Sequence, residues 1–216
     1  MKKIVLLTVI LLGSAWMAFS QKVIDKKIEI DGKKAELKLD FADNIKVEAW
    51  DKNYIEFHAL ANIDDNQYND FYELNVNETS GKTEIVEKID FDGIKEKMGK
   101  KELCNFDMDI EYSVKIPKDL NFSVNTISGE VELIACEGKM NINSVSGFID
   151  YSIPEKLNAR IDLSTVTGDV YSNVSFDDSD TDKISWVGTN RKLSLNGGDK
   201  DIKLKTVSGD IYLRKY

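Results

Sequence analysis

The sequence predicts an all-β protein, a β-solenoid or flattened β-roll of stacked two-strand coils, and three observations lead there. Five ungapped twelve-residue repeats fill the C-terminal half: Phe122–Leu133 (FSVNTISGEVEL), Met140–Tyr151 (MNINSVSGFIDY), Ile161–Ser172 (IDLSTVTGDVYS), Ile184–Leu195 (ISWVGTNRKLSL) and Ile202–Leu213 (IKLKTVSGDIYL). Their starts lie 18, 21, 23 and 18 residues apart, and a repeat of this kind buries its apolar face only by stacking on its neighbours. Within each repeat, positions 1, 3 and 5 are apolar or small, as in Phe122, Val124 and Thr126, and positions 6, 10 and 12 are apolar, as in Ile127, Val131 and Leu133. Strand side chains alternate faces, so this parity change between positions 5 and 6 requires a bend there if both halves face one interior. Glycine at position 8 (Gly129, Gly147, Gly168, Gly209) then serves as a structural corner with backbone freedom.

The elements follow in chain order. Residues 1–20 read as a secretory signal peptide, with Lys2-Lys3, an apolar run from Ile4 to Leu12 and small residues before the end at Ala18-Phe19-Ser20. The run falls short of the roughly 20 apolar residues of a spanning helix. No cysteine stands directly after it, which argues against a lipoprotein, and no second run of spanning length occurs downstream. Residues 21–121 form an N-terminal β region, where Ile28 and Ile30, Leu37 and Leu39, then Ile45, Val47 and Ala49 alternate. Ile45–Phe57 (IKVEAWDKNYIEF) looks like an elongated version of the later repeat, and Tyr72–Val76 with Thr83–Ile85 suggests a hairpin or coil. Residues 88–107 lose the alternation and are rich in charge, an insertion with a short helix; strand character returns at Ile110–Ile116. Residues 122–216 form the five-repeat solenoid, continuous with what precedes it. In a stack built in chain order, the coil ending at Leu213 is the open end, guarded against self-association by Arg214 and Lys215, so a monomer is expected.

Charge and cysteines narrow the function classes. From Gln21 onward, 27 basic residues face 38 acidic ones, a formal charge of −11. That balance argues against nucleic acid, whose binding shows as a basic face, and against docking on anionic lipid. In an oxidising compartment Cys104, in the insertion, and Cys136, in the connector after the first repeat, are candidates to pair. Two cysteines and one histidine do not complete a zinc shell.

Several stretches resemble one family. They are YSVKIPKDLNFSVNTISGEVEL (Tyr112–Leu133), the TVTGDV and TVSGDI cores, LNGG at Leu195–Gly198, and VEAWDKNYIEF (Val47–Phe57). They are similar to the bacterial β-strand-repeat proteins called DUF4097 or "putative adhesins", over about Ile45 to the C-terminus. The resemblance implies an exported or envelope-associated β-solenoid and carries over no catalytic residue. The fourth repeat departs from the pattern, with Asn190-Arg191 in place of Ser-Gly.

Candidate chemistry is sparse. The position-7 column (Ser128, Ser146, Thr167, Asn190, Ser208) has no histidine near it to act as a base, so its hydroxyls are expected to satisfy corner backbone groups. The connector Asn173–Lys183 contains Asp178, Asp180 and Asp182 in the spacing of hard-cation loops. Lys183 stands where an EF-hand loop needs glycine and Thr189 where it needs glutamate, so no cofactor and no metal site is expected, calcium being the alternative. Outward carboxylates (Glu130, Glu132, Asp150, Asp169, Asp210) and outward aromatics (Phe148, Tyr171, Tyr212) offer contact chemistry. Because the pattern breaks only in the fourth repeat, which also carries Trp186, the expected binding site is Asp178, Asp180, Asp182, Arg191 and Lys192. The expected function is an exported, non-catalytic binding or scaffolding module of the cell envelope, in the periplasm or at the cell surface. Its partner would be an envelope protein or glycan. A carbohydrate-active enzyme and a regulatory envelope-stress component are the alternatives.

Overall fold

The alternation folds into two eight-stranded sheets packed face to face in a computed structural model that describes residues 20–30, 32, 34–99, 106–177 and 188–216. In chain order the strands are β1 (Lys22–Glu29), β2 (Lys34–Lys38), β3 (Asn44–Trp50), β4 (Tyr54–Ile63), β5 (Tyr72–Glu78) and β6 (Lys82–Ile89), followed by helix α1 (Phe91–Met98). Then come β7 (Met108–Pro117), β8 (Phe122–Thr126), β9 (Glu130–Ile134), β10 (Met140–Ser144), β11 (Ile149–Ile153) and β12 (Ala159–Thr165). The last four are β13 (Val170–Ser172), β14 (Thr189–Leu195), β15 (Lys200–Thr206) and β16 (Ile211–Lys215). Sheet A runs β1-β4-β7-β3-β9-β11-β16-β13, and sheet B runs β14-β12-β15-β10-β8-β2-β6-β5.

The chain crosses from sheet B to sheet A as parallel-stacked coils, and their spatial order differs from their chain order. Along the axis the coils are β6/β7, β2/β3, β8/β9, β10/β11, β15/β16 and β12/β13. The last repeat is therefore threaded between the second and the third, with Ile202 paired to both Met140 and Ile161. Leu213 is not an open end: β16 has β11 on one side and β13 on the other, and Arg214 forms an ion pair with Asp150 at 2.7 Å. Antiparallel strands terminate the stack: β4 and β1 beyond β7, β5 beyond β6, and β14 beyond β12.

Two expectations about coils change. Ile45–Phe57 is not a coil, because β3 and β4 lie in one sheet with β7 between them. The coil is β2/β3, in which Ala35 and Leu37 stand opposite Phe122 and Val124, and Ile45 and Val47 opposite Val131 and Leu133. The fourth repeat is not a coil either. Its second half is β14, antiparallel to β12; Gly188 takes φ +73°, and a side chain there would run into the Thr165 and Val166 carbonyls. The charged insertion does contain a helix, α1, which bridges β6 to β7 and buries Ile94. The Asp90 carboxylate caps its first turn by accepting from the Gly93 N–H at 2.9 Å.

Positions 1, 3, 5, 10 and 12 face the interior, as in Phe122, Val124, Thr126, Val131 and Leu133. Position 6 does not. Ile127, Val145, Val166 and Val207 are each about half exposed at the corner apex, so the parity changes across the whole corner rather than between positions 5 and 6. Backbone groups at the corner are satisfied chiefly by position 5. Thr126 donates to the Ser128 carbonyl, Ser144 to Ser146 (3.0 Å), Thr165 to Gly209 (2.9 Å) and Thr206 to Gly147 (3.2 Å). The position-7 hydroxyls are exposed, although Ser128 donates to the Ala42 carbonyl at 3.4 Å and Thr167 to the Val207 carbonyl at 3.2 Å.

The corner glycines are demanded by close approach. A Cβ on Gly129 would lie 2.3 Å from the Ala42 carbonyl oxygen, on Gly147 2.2 Å from that of Gly129, on Gly209 2.2 Å from that of Gly147, and on Gly168 2.0 Å from that of Gly209. Gly147 adds a φ of +118°, whereas Gly168 has no positive φ, so close approach alone explains it.

Cys136 is a free thiol, fully buried between the sheets, with burial pushing its pKa up to about 12. Its expected partner Cys104 lies outside the described residues. Tyr151 donates to the Cys136 carbonyl at 2.5 Å.

Glu87 is the other interior oddity. One of its carboxylate oxygens accepts from the Phe41 N–H at 3.0 Å, and the other is buried, with the carboxylate interacting with the Tyr112 hydroxyl. Burial pushes its pKa up to about 7, opposed by the Phe41 bond and reinforced by Asp40. The folded state thus holds this proton more tightly than the unfolded chain. Stability attributable to Glu87 is full below the usual glutamate range and falls as pH rises towards 7. Glu87→Gln should therefore flatten the fall in melting temperature between about pH 4.5 and 7, checked by thermal melts across that range; a parallel fall in the variant would show that other groups cause it.

Candidate functional site

Sheet A ends in an exposed aromatic shelf. The registers that place Asp150 and Tyr171 on either side of Tyr212 also put all three side chains on the outer face, since Val170, Ile211 and Ile149 take the inward positions. Tyr171 and Tyr212 stack with ring centroids 5.3 Å apart and planes 14° from parallel. Phe148, one position before β11, meets Tyr212 edge-on at 5.9 Å. Three coils thus each contribute one ring, and Tyr171, on the short edge strand β13, is 50% exposed. The Arg214 guanidinium lies 5.4 Å from the Tyr212 ring centre.

Carboxylates border the shelf. Asp210 accepts from the Tyr212 hydroxyl at 3.1 Å and from the Asp169 N–H at 2.9 Å. The Asp169 and Asp210 charges raise the Tyr171 pKa, and the hydrogen bond to Asp210 raises that of Tyr212. Both rings therefore keep their hydroxyl protons well past neutrality. The Asp150 carboxyl is held above its ordinary pKa by burial and by Glu132 beside it, against the lowering effect of Arg214. Chemically, the arrangement offers flat apolar faces for stacking with acceptor oxygens at the rim, suited to a hydroxyl- or amine-bearing ligand.

Of the site expected in the fourth repeat, only Arg191 and Lys192 fall among the described residues. Arg191 and Lys192 are adjacent on β14 and so take opposite faces; Arg191 stands opposite the buried Leu163, and Lys192 opposite the outward Asp162. Lys192 lines a concavity of about 450 Å³ with Arg160, Asp162 and Lys203. Asp178, Asp180, Asp182 and Trp186 lie outside the described residues. Asp177, just before them, is anchored: its carboxylate accepts from the Gly197 N–H at 2.8 Å, which lowers its pKa. Among the described residues no group of three His, Cys, Asp or Glu side chains is placed to hold a metal ion, and no helix is long and apolar enough to cross a membrane. The shelf aromatics were each legible as outward residues; their convergence was not, because Tyr212 comes next to both Asp150 and Tyr171 only through the threaded coil. Arg214, expected as an edge guard, instead belongs to the shelf.

Comparison with known proteins agrees with this architecture. The family model Toastrack DUF4097 matches residues 63–214. A crystal structure of a "putative cell adhesion protein" from Clostridium sporogenes aligns with 91% of this chain and 100% of its own at 13% identity and a TM-score of 0.53, a likeness of fold. A "putative adhesin" from Bacteroides fragilis aligns with 91% of this chain and 98% of its own at 12% identity and a TM-score of 0.24. No curated protein matches. With the model covering most of its length, the chain belongs to the Toastrack DUF4097 family.

Proposed function

We propose that this protein is an exported, non-catalytic binding module of the bacterial cell envelope, adhesin-like in role, and that the Tyr171–Tyr212–Phe148 shelf is its contact surface. The observation that carries the reading is the half-exposed Tyr171 stacked on the partly buried Tyr212 at a sheet edge, ringed by carboxylates. A sugar ring or an apolar partner side chain would lie on the rings, and Asp169 and Asp210 would accept from its hydroxyls or amines. The comparisons support the adhesin-like part of this reading; export, envelope location and partner are inferred from the N-terminal sequence and the shelf. The rival reading, a polysaccharide-active enzyme using the outward carboxylates, is less well supported. Asp150 is ion-paired with Arg214, and Asp210 accepts from Tyr212 and the Asp169 amide, so both carboxylates already have structural partners.

The test is retention of envelope glycans and proteins by wild type and by Tyr171→Ala with Tyr212→Ala. Loss of about tenfold or more in affinity for at least one partner that the wild type retains, with melting temperature within a few degrees of the parent, is expected. Equal retention by the variant removes the shelf as the contact surface. New reducing ends released from an envelope polysaccharide would replace binding with catalysis.

A further inference from the structure

The outer face of sheet B carries a second feature, separate from the shelf. Its central strands β10 and β8 present only short polar side chains, Asn141, Asn143, Ser123 and Asn125, with Asn143 donating to Asn125 at 3.0 Å. The flanking strands present lysines: Lys203 and Lys205 on β15, Lys34 on β2 and Lys82 on β6. Long walls beside a low floor make a trough of about 690 Å³ that runs parallel to the strands, with Lys139 at one end. From β15 to β2 is three strand spacings, about 14 Å, and five residues of strand give a length of about 16 Å.

The charge of this trough opposes that of the molecule. Its lining holds five lysines and two acids, Glu36 and Asp201, in a protein whose formal charge is −9. Both acids are already paired, Glu36 with Lys82 at 2.7 Å and Asp201 with Arg160 at 3.1 Å. Lys34, Lys139, Lys203 and Lys205 have no ion-pair partner among the described residues. Lys34 and Lys139 lie level with Asn121 at one end of the trough, and Lys203 and Lys205 follow two and four residues further along the opposite wall, so they match a ligand that carries several charges along its length rather than a single compact anion. The floor of amides and a hydroxyl both donates and accepts, as a hydroxyl-rich chain requires. Bases would find nothing to stack on, since the one aromatic in the lining, Phe122, is 4% exposed.

We propose that this trough binds a linear acidic polysaccharide, a carboxylated glycan lying along β10 and β8 between the two lysine walls. Each carboxylate would sit by a wall lysine and the sugar hydroxyls on the Asn141, Asn143 and Ser123 floor. The interaction is a multivalent one between exposed charges, hence moderate and sensitive to salt.

Polygalacturonate is the probe, with its fully methyl-esterified form as a neutral chain of the same backbone and an oligothymidylate as a polyanion without sugar-ring carboxylates. Calorimetry on the purified protein should show binding to polygalacturonate that weakens by about tenfold or more between roughly 0.02 M and 0.3 M salt. Binding to the ester and to the oligothymidylate should be at least about tenfold weaker. Lys203→Gln with Lys205→Gln, and separately Lys34→Gln with Lys139→Gln, should each cost about tenfold, with unchanged melting temperature. Tyr171→Ala should leave this binding intact, which separates the trough from the shelf. No binding to polygalacturonate at low salt, equal binding of the ester or of the oligothymidylate, or undiminished binding by both lysine variants overturns the proposal.

Discussion

Deleting residues 200–216 will abolish the cooperative unfolding of the rest of the chain. These residues are the last in sequence but lie within the stack. β15 is hydrogen-bonded to β10 and β12, and β16 to β11 and β13. Their removal takes Ile202, Leu204, Ile211 and Leu213, all buried, out of the core and leaves four strand edges unpaired, those of β10, β12, β11 and β13. At about 2–5 kcal/mol for truncating a single buried leucine, four such side chains together are comparable to or larger than the whole margin of a domain this size, about 5–15 kcal/mol. Circular dichroism melts check the loss. Hydrogen exchange on the intact protein checks the order of the coils: amides of Ile202–Thr206 should exchange among the slowest, whereas a chain-order stack would let this terminal coil fray. A deleted chain melting near the parent temperature would mean that the second and third repeats close up directly.

Gly147→Val should be nearly as damaging. The added Cβ would stand 2.2 Å from the Gly129 carbonyl oxygen, backbone that cannot swing away, and a β-branched residue would be forced to φ +118°. Strain of that kind costs about 1–3 kcal/mol. Separating two coils at the corner adds to it, so the expected loss is about 4 kcal/mol or more, at the upper end of single substitutions. Gly81→Ala is the control: nothing lies within 4 Å of the position, and φ is not in the left-handed region. It should change stability by less than about 0.5 kcal/mol. Urea titration of the two variants beside the parent measures both; a mild Gly147→Val would place the tight approach elsewhere in the corner.

The repeats themselves determined that the protein is all-β, that positions 1, 3, 5, 10 and 12 face a shared interior, and that glycine is required after the bend. They did so because alternation and a fixed corner are local properties, readable wherever Val, Ile and Leu recur against Ser-Gly. The β2/β3 coil escaped notice because its corner, Asp40–Asp43, has no Ser-Gly and is one residue longer, although its inward Leu37, Ile45 and Val47 obey the same parity. Apolar character at position 6 misled for another local reason: at a corner apex the alternation rule lapses, and Ile127 and Val207 point outward. Adjacent charges could have been sorted, since Arg191 and Lys192 had to face opposite ways on any strand. The order of the coils was decided only by tertiary structure. Every repeat presents the same apolar pattern to its neighbours, so pairing the second repeat with the third or with the fifth buries much the same surface. Contacts made in the observed order are long-range ones, such as the Arg214–Asp150 and Arg160–Asp201 ion pairs and the glycine-to-carbonyl approaches running Gly129, Gly147, Gly209, Gly168. That order in turn sets Tyr212 against Tyr171 and makes Lys203 and Lys205 one wall of the trough, side chains that only the threaded coil brings beside their partners.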